Sequence, residues 1–125
     1  MDEYTVLEYF MLYSGLDAKA AANWFSVVTA CAEYVRGIVR KGVDIARNKK
    51  LLCDAAGALA FYRYTLAQYT DESAASFSAG DVKISTDIEK SCNAAKMLKD
   101  AAFESIKDII ETGDFYFCTT DGGAV

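Results

Sequence analysis

The sequence lacks histidine and proline altogether. Histidine is the commonest general acid or base near neutral pH and a usual zinc ligand, so its absence removes the simplest routes to acid-base catalysis and to a zinc site. The carboxylates are spread at the spacings of solvated helix faces, and the isolated glycines form no phosphate-binding loop. We therefore expect a protein that is not an enzyme and that has no catalytic, metal-binding or cofactor-binding residues.

Long apolar runs are also missing. A membrane-spanning helix needs roughly 18 to 20 apolar residues in succession, and no segment approaches that length. The first ten residues, MDEYTVLEYF, are acidic where a signal peptide is basic. We expect a cytosolic protein without membrane contact. Its apolar share of 53% exceeds what one ordinary core needs, which favours a surface that contacts partners.

The four cysteines, at positions 31, 53, 92 and 118, lie in apolar or aromatic surroundings. No two of them have the CxxC spacing of a metal or redox motif. We expect them to be buried and reduced, with a disulfide or a site of four scattered thiolates as the alternative.

Apolar residues recur at helical spacing through most of the chain, which predicts an all-α fold in a single domain, residues 1–125. A short first helix ends at Gly15, and a second spans 17–40 with Asp17 as its cap. A third runs over 43–70, and a fourth begins near residues 85–87 and ends at Gly113. We expect a four-helix up-down arrangement, followed by an extended C-terminal tail at about 113–125.

The third helix contains the segment LLCDAAGALAFYRYTLAQY, which is apolar almost all round and is expected at the centre of the fold. Gly57 within it indicates close contact with another helix. Asp54 and Arg63 lie too far apart to pair, so each needs another partner. In the fourth helix the charged residues are expected on the outside: Glu89, Lys90, Lys96, Lys99, Asp100, Glu104, Lys107 and Asp108.

Between the last two helices, at about residues 71–86, the chain becomes polar and small, and it contains the stretch SFSAGDVKIST. A Gly-Asp pair followed by alternating apolar residues predicts a strand-like arm or hairpin. Such a segment either contacts a neighbouring subunit or folds against its own domain. The later stretch DFYFCTT also reads as strand-like.

The charge of the chain is −5, but residues 36–50 alone carry +5, which leaves −10 on the rest. A basic face of this kind docks an acidic protein or a phosphate backbone; the simpler interpretation is a solvated helix C-terminus. The basic residues are Arg36, Arg40, Lys41, Arg47, Lys49 and Lys50.

The order of these elements, with the motif SFSAGDVKIS followed by DIEKSCNAAKMLKDAAFESI, resembles the phage head-tail connector or head-completion adaptor proteins. The resemblance extends from Leu7 to Ile110. It implies a virion structural protein of the neck, assembled in the host cytoplasm, in a ring of about a dozen copies below the portal. Such a ring extends the DNA channel, contacts the portal protein and offers a docking surface to a tail-side connector or stopper protein.

The same resemblance implies that the arm contacts neighbouring subunits through Phe77, Gly80, Asp81, Val82 and Ile84. DNA passes through such a channel without sequence-specific binding. The alternative is a small helical DNA-binding or regulatory module, because the basic stretch lies across the junction of the second and third helices.

Overall fold

The computed structural model describes the backbone of residues 1–79 and 82–111, with the side chains of residues 1–68 and 89–111. This part of the chain is built from helices, and its only β-type pairing is an isolated bridge between Val39 and Ile110. The expectation of an all-α fold is confirmed. The helices are α1 (Glu3–Ser14), α2 (Ala18–Ala22), α3 (Phe25–Ile38), α4 (Lys49–Ala79) and α5 (Val82–Glu104).

Helix α1 is capped at both ends, and its end at Gly15 is as predicted. Asp2 precedes it, and its Oδ1 accepts a hydrogen bond of 2.7 Å from the backbone N–H of Tyr4. Gly15 follows it with φ 76°, the left-handed conformation that glycine adopts most easily, and donates a 2.8 Å hydrogen bond to the carbonyl of Met11. The helix is thus fixed at both ends.

The second predicted helix, 17–40, is in fact two helices. Asp17 caps α2 as expected, but α2 ends at Ala22, and Trp24 has the non-helical angles φ −109° and ψ 11° before α3 begins. The indole of Trp24 packs edge-on against Tyr64 of α4, with ring centroids 4.8 Å apart. Apolar spacing alone did not reveal this break, because the apolar residues on both sides of it face the same core.

Helix α4 is the centre of the fold, as predicted, since it packs against α1, α3 and α5. Its close contact with α1 is at Gly57, where an added Cβ would be 2.5 Å from Cβ of Tyr9. The predicted start at about residue 43 is wrong: residues 45–48 form turns, and the helix begins at Lys49.

The predicted strand-like arm is also wrong in its backbone conformation. Residues 76–79 belong to α4 and residues 82–86 to α5, so the helices extend to both sides of the Gly-Asp pair. The stretch before the pair is rich in alanine, the best helix former, and the apolar alternation at Val82 and Ile84 is too short to favour a strand over a helix. Gly80 and Asp81 lie outside the described residues.

Helix α5 ends at Glu104, well before the predicted stop at Gly113. The chain then turns and reaches Ile110, which forms the bridge with Val39 just after α3. The backbone N–H of Arg40 donates to the carbonyl of Ile109 at 2.9 Å, and that of Glu111 to the carbonyl of Ile38 at 2.6 Å. The predicted C-terminal tail, 113–125, lies outside the described residues.

Among the side chains that the structure describes, the α4 members of the main core cluster, together with those packed against it, extend from Leu52 to Tyr64. Buried residues continue beyond this point at Thr65 of α4 and at Cys92 and Ala95 of α5. Residues 65–79 continue α4 for about 22 Å. Helix α5 runs antiparallel to α4, since the thiol of Cys92 lies 3.9 Å from the carbonyl of Thr65 while Ile110 bridges to Val39 at the other end of the bundle. The two helices form a long hairpin.

Candidate functional site

The six residues of the predicted basic face do not form one solvated surface. Arg36 donates a 2.8 Å hydrogen bond to the carbonyl of Met1 and lies 3.8 Å from the carboxylate of Glu3. Arg40 donates through Nε to the carbonyl of Ile110 at 2.9 Å. These two guanidinium groups therefore join the ends of the helices within the molecule.

The other four basic side chains lie at the surface around the start of α4. Lys41, Arg47, Lys49 and Lys50 are all exposed, and Nζ of Lys49 is 4.0 Å from the carboxylate of Asp2. Only Arg36 lies in the last turn of a helix. Because the positive end of the helix dipole repels cations, lysines at the start of α4 are not explained by the interpretation as a helix C-terminus.

The connection between α3 and α4 does not have helix-turn-helix geometry. Such a motif joins its helices by a turn of about three or four residues, whereas residues 39–48 separate α3 from α4 here. The connection also contains the bridge to Ile110, which ties it to the end of the α5 segment. The basic stretch therefore does not present a recognition helix of this type.

An open groove of about 460 Å³ lies between α1 and the start of α4. Leu12 and Tyr9 supply its apolar surface, and Leu12 is 71% exposed. The groove brings Lys49 and Lys50 of the predicted basic face next to this apolar surface. Its lining residues are Thr5, Glu8, Tyr9, Leu12, Lys49 and Lys50.

The groove is not among the features predicted from the sequence, although α1 contains a signal for it. Tyr4, Glu8 and Leu12 follow one another at intervals of four along α1, and all three are exposed. Two of these three residues are large and apolar, so α1 is not polar on its outer face. A second apolar face on a short surface helix indicates a contact surface of this kind.

The predicted contact residues of the arm lie around the tip of the α4–α5 hairpin. The backbone of Phe77 is in α4, and that of Val82 and Ile84 is in α5. Gly80, Asp81 and the contacts of the three apolar side chains lie outside the described residues, so their role stays a prediction. On the described part of α5, Met97 is 72% exposed.

Cys31, Cys53 and Cys92 are buried and unpaired, as expected, while Cys118 lies outside the described residues. Removal from water disfavours the thiolate, which raises the pKa of all three thiols and brings that of Cys31 to about 11. Among the described residues, no three or more cysteines, aspartates and glutamates cluster in a way that would hold a metal ion.

Asp54 and Arg63 do not pair, as their separation predicts. The Tyr13 hydroxyl donates a hydrogen bond to Oδ1 of Asp54, while Arg63 is exposed. Burial of the ring and the hydrogen bond to the nearby carboxylate both raise the pKa of Tyr13 above its usual value, because each disfavours the phenolate. The partner of Asp54 therefore comes from α1.

The prediction that Lys99 lies on the outside of the fourth helix is wrong. The residue is only 4% exposed, and its Nζ lies 3.0 Å from the carboxylate of Asp100 and 5.1 Å from the ring centroid of Tyr62. Burial works against ionisation of Asp100, but hydrogen bonds from Lys96 and Lys99 outweigh it and lower the pKa of that carboxyl. The ammonium and the ring join α5 to α4.

Comparisons with protein-family models, with curated proteins and with solved structures give no match to this chain. Within the described residues, none of the helices has the length and apolar character needed to cross a membrane.

Proposed function

We propose that the protein is a structural virion subunit of the head-tail connector type, which forms a ring below the portal and extends the DNA channel. Its helices α1, α3, α4 and α5 would then be an up-down arrangement within each subunit. The observation that carries the proposal is the long α4–α5 hairpin, in which α4 alone continues for about 22 Å after Tyr64.

A projecting hairpin suits a ring because each subunit can reach the next one in a head-to-tail contact that closes by rotation. The helical hairpin replaces the extended arm in this role, so the contact would use packed helix faces in place of strand pairing. Phe77, Val82 and Ile84 lie around its tip, and the exposed Met97 lies farther along α5.

The surface around the start of α4 supplies a second contact in this proposal. Lys41, Arg47 and Lys50 are exposed there, on a chain whose remaining charge is acidic. An acidic face of the portal protein or of a tail-side protein would be complementary to it. DNA would pass through the ring without sequence-specific contacts.

The test compares the oligomeric state of the unaltered chain with that of two variants, by native mass spectrometry and electron microscopy at increasing concentration. We expect closed rings of about a dozen copies from the unaltered chain. The triple variant Phe77→Ser, Val82→Ser, Ile84→Ser should stay monomeric with an almost unchanged melting temperature. Each large apolar side chain contributes roughly 1.5 to 3 kcal/mol only when a second chain covers it.

The matched control is Leu51→Ser, which changes an exposed leucine at the opposite end of α4 and should still form rings. Unchanged oligomers from the triple variant, together with a lowered melting temperature, would show that these side chains pack within their own subunit. A monomer at every concentration, also in the presence of portal protein, would contradict the ring.

A further inference from the structure

The groove between α1 and the start of α4 combines an apolar surface with positive charge. Leu12 is 71% exposed in it, Tyr9 lies beside it, and Lys49 and Lys50 are exposed along the α4 side. Glu8 is the acid among its lining residues, and Lys49 also lies near Asp2. A complementary occupant would be a segment with large apolar side chains and negative charge.

The last described residue lies at the end of the molecule where this groove begins. The N–H of Glu111 donates to the carbonyl of Ile38. Two residues earlier in α3, Arg36 donates a hydrogen bond to the carbonyl of Met1, and the neighbouring Asp2 lies 4.0 Å from Lys49 at the start of α4. Glu111, the last described residue, therefore lies at the end of the bundle where α1 and α4 both start.

The segment that follows has the matching composition. Residues 112–125, TGDFYFCTTDGGAV, contain two acids and no basic residue. Phe115, Tyr116 and Phe117 form its apolar part. The six residues that follow Glu111, up to Phe117, span up to about 20 Å when extended, and α1 is about 18 Å long. The aromatic residues can therefore extend along the length of α1 from the end where it starts.

We infer that residues 112–125 of the same chain bind in the α1–α4 groove, with the aromatic residues 115–117 against Tyr9 and Leu12 and the acidic residues near Lys49 and Lys50. A segment tethered by a short linker is present at an effective concentration of the order of millimolar, which favours the chain's own segment over that of a second copy. This inference does not depend on the ring proposed above.

Disulfide trapping tests the inference, because Cys118 directly follows the aromatic residues. Leu12→Cys places a thiol in the groove, and Met97→Cys places one of matched exposure, 72%, on α5. Oxidised glutathione accepts the two electrons when the introduced thiol and Cys118 join. The buried thiols of Cys31, Cys53 and Cys92 should react slowly, because only the thiolate attacks.

We expect the monomeric disulfide with Cys118 to form at least about tenfold faster in Leu12→Cys than in Met97→Cys, as measured by peptide mapping of the intact full-length chain. Glu8→Cys, a second exposed position in the groove, should behave like Leu12→Cys. Replacement of residues 115–117 by serine in the Leu12→Cys background should abolish the difference.

Equal rates in the groove variants and in Met97→Cys would overturn the inference. Disulfide-linked dimers whose yield rises with protein concentration would overturn it as well, because the occupant would then be the segment of a second copy. A rate difference that persists after the serine replacements would show that the aromatic residues do not direct the docking, and would also overturn it.

Discussion

Gly57 of α4 lies directly against Tyr9 of α1, so that a Cβ added to the glycine would be 2.5 Å from Cβ of the tyrosine and 3.2 Å from the backbone nitrogen of Phe10. Neither atom is the free end of a flexible side chain. The two helices can keep this separation only while the position on α4 has no side chain.

Gly57→Ala should therefore destabilise the fold, although alanine is the better helix former. We expect the free energy of unfolding in urea to fall by roughly 1 to 3 kcal/mol, the usual cost of overpacking a core. Gly37→Ala is the matched control on α3, since a Cβ there meets nothing within 4 Å. It should raise stability by about 0.5 to 1 kcal/mol. Equal effects of the two substitutions would contradict the close contact.

Gly57 also shows what the sequence can predict. A glycine inside an apolar helix indicates a close contact, because the cost of glycine in a helix needs a compensating reason. Helical periodicity cannot show the break at Trp24, where the indole contacts Tyr64, a residue distant in sequence. The glycine itself marks the close contact at position 57, whereas no residue type marks the break at Trp24.

The basic stretch illustrates the same limit at the candidate site. Its charge is visible in the sequence, but Arg36 and Arg40 bind carbonyls that lie 35 and 70 positions away along the chain. Lys99 is the converse case, because its charge predicted an outer face while Asp100 and the ring of Tyr62 hold it in a buried position. Partners distant in sequence decide which charged side chains are bound within the molecule.

Two leucines of α4 should differ sharply in their contribution to stability. Leu59 is 6% exposed within the core, whereas Leu66 is 39% exposed beyond it. Leu59→Ala should cost about 2 to 5 kcal/mol, because it leaves a cavity among packed side chains. Leu66→Ala should cost less than about 1.5 kcal/mol, because water already reaches part of the side chain. Urea unfolding of both variants measures the difference, and equal losses would mean that Leu66 is packed as closely as Leu59.

Arg40 and Lys41 are adjacent basic residues with different expected effects. Arg40→Ala removes the hydrogen bond to Ile110 that accompanies the Val39 bridge, and should lower stability by about 0.5 to 1.5 kcal/mol. Lys41→Ala changes an exposed side chain and should stay within about 0.5 kcal/mol of the unaltered chain.

Hydrogen exchange provides the second measurement for this pair. The amides of Arg40 and Glu111, which donate across the bridge, should exchange faster in Arg40→Ala than in Lys41→Ala. Similar exchange rates in both variants would show that the side-chain hydrogen bond does not support the bridge.

The contact between Tyr13 and Asp54 should make part of the stability depend on alkaline pH. At neutral pH, Tyr13→Phe removes the hydrogen bond to the half-buried carboxylate and should cost roughly 1 to 2 kcal/mol. Tyr4→Phe is the control, since it changes an exposed ring and should cost less than about 0.5 kcal/mol.

The sign of the pH dependence follows from the direction of the pKa shift. Burial, followed by the hydrogen bond to Asp54, raises the pKa of Tyr13 in the folded state above the value of 10.0 for an unperturbed tyrosine. The contribution of Tyr13 to stability is therefore fully present below about pH 10 and is lost as the pH rises towards the folded-state pKa.

Ionisation of the buried thiol of Cys31, whose pKa is about 11, lowers the free energy of unfolding of the unaltered chain and of Tyr13→Phe by the same amount. The difference in free energy of unfolding between the unaltered chain and Tyr13→Phe should thus be constant below pH 9 and shrink above pH 10. A difference that stays constant through the alkaline range would mean that Tyr13 ionises equally in both states, and that the contact with Asp54 does not hold its proton.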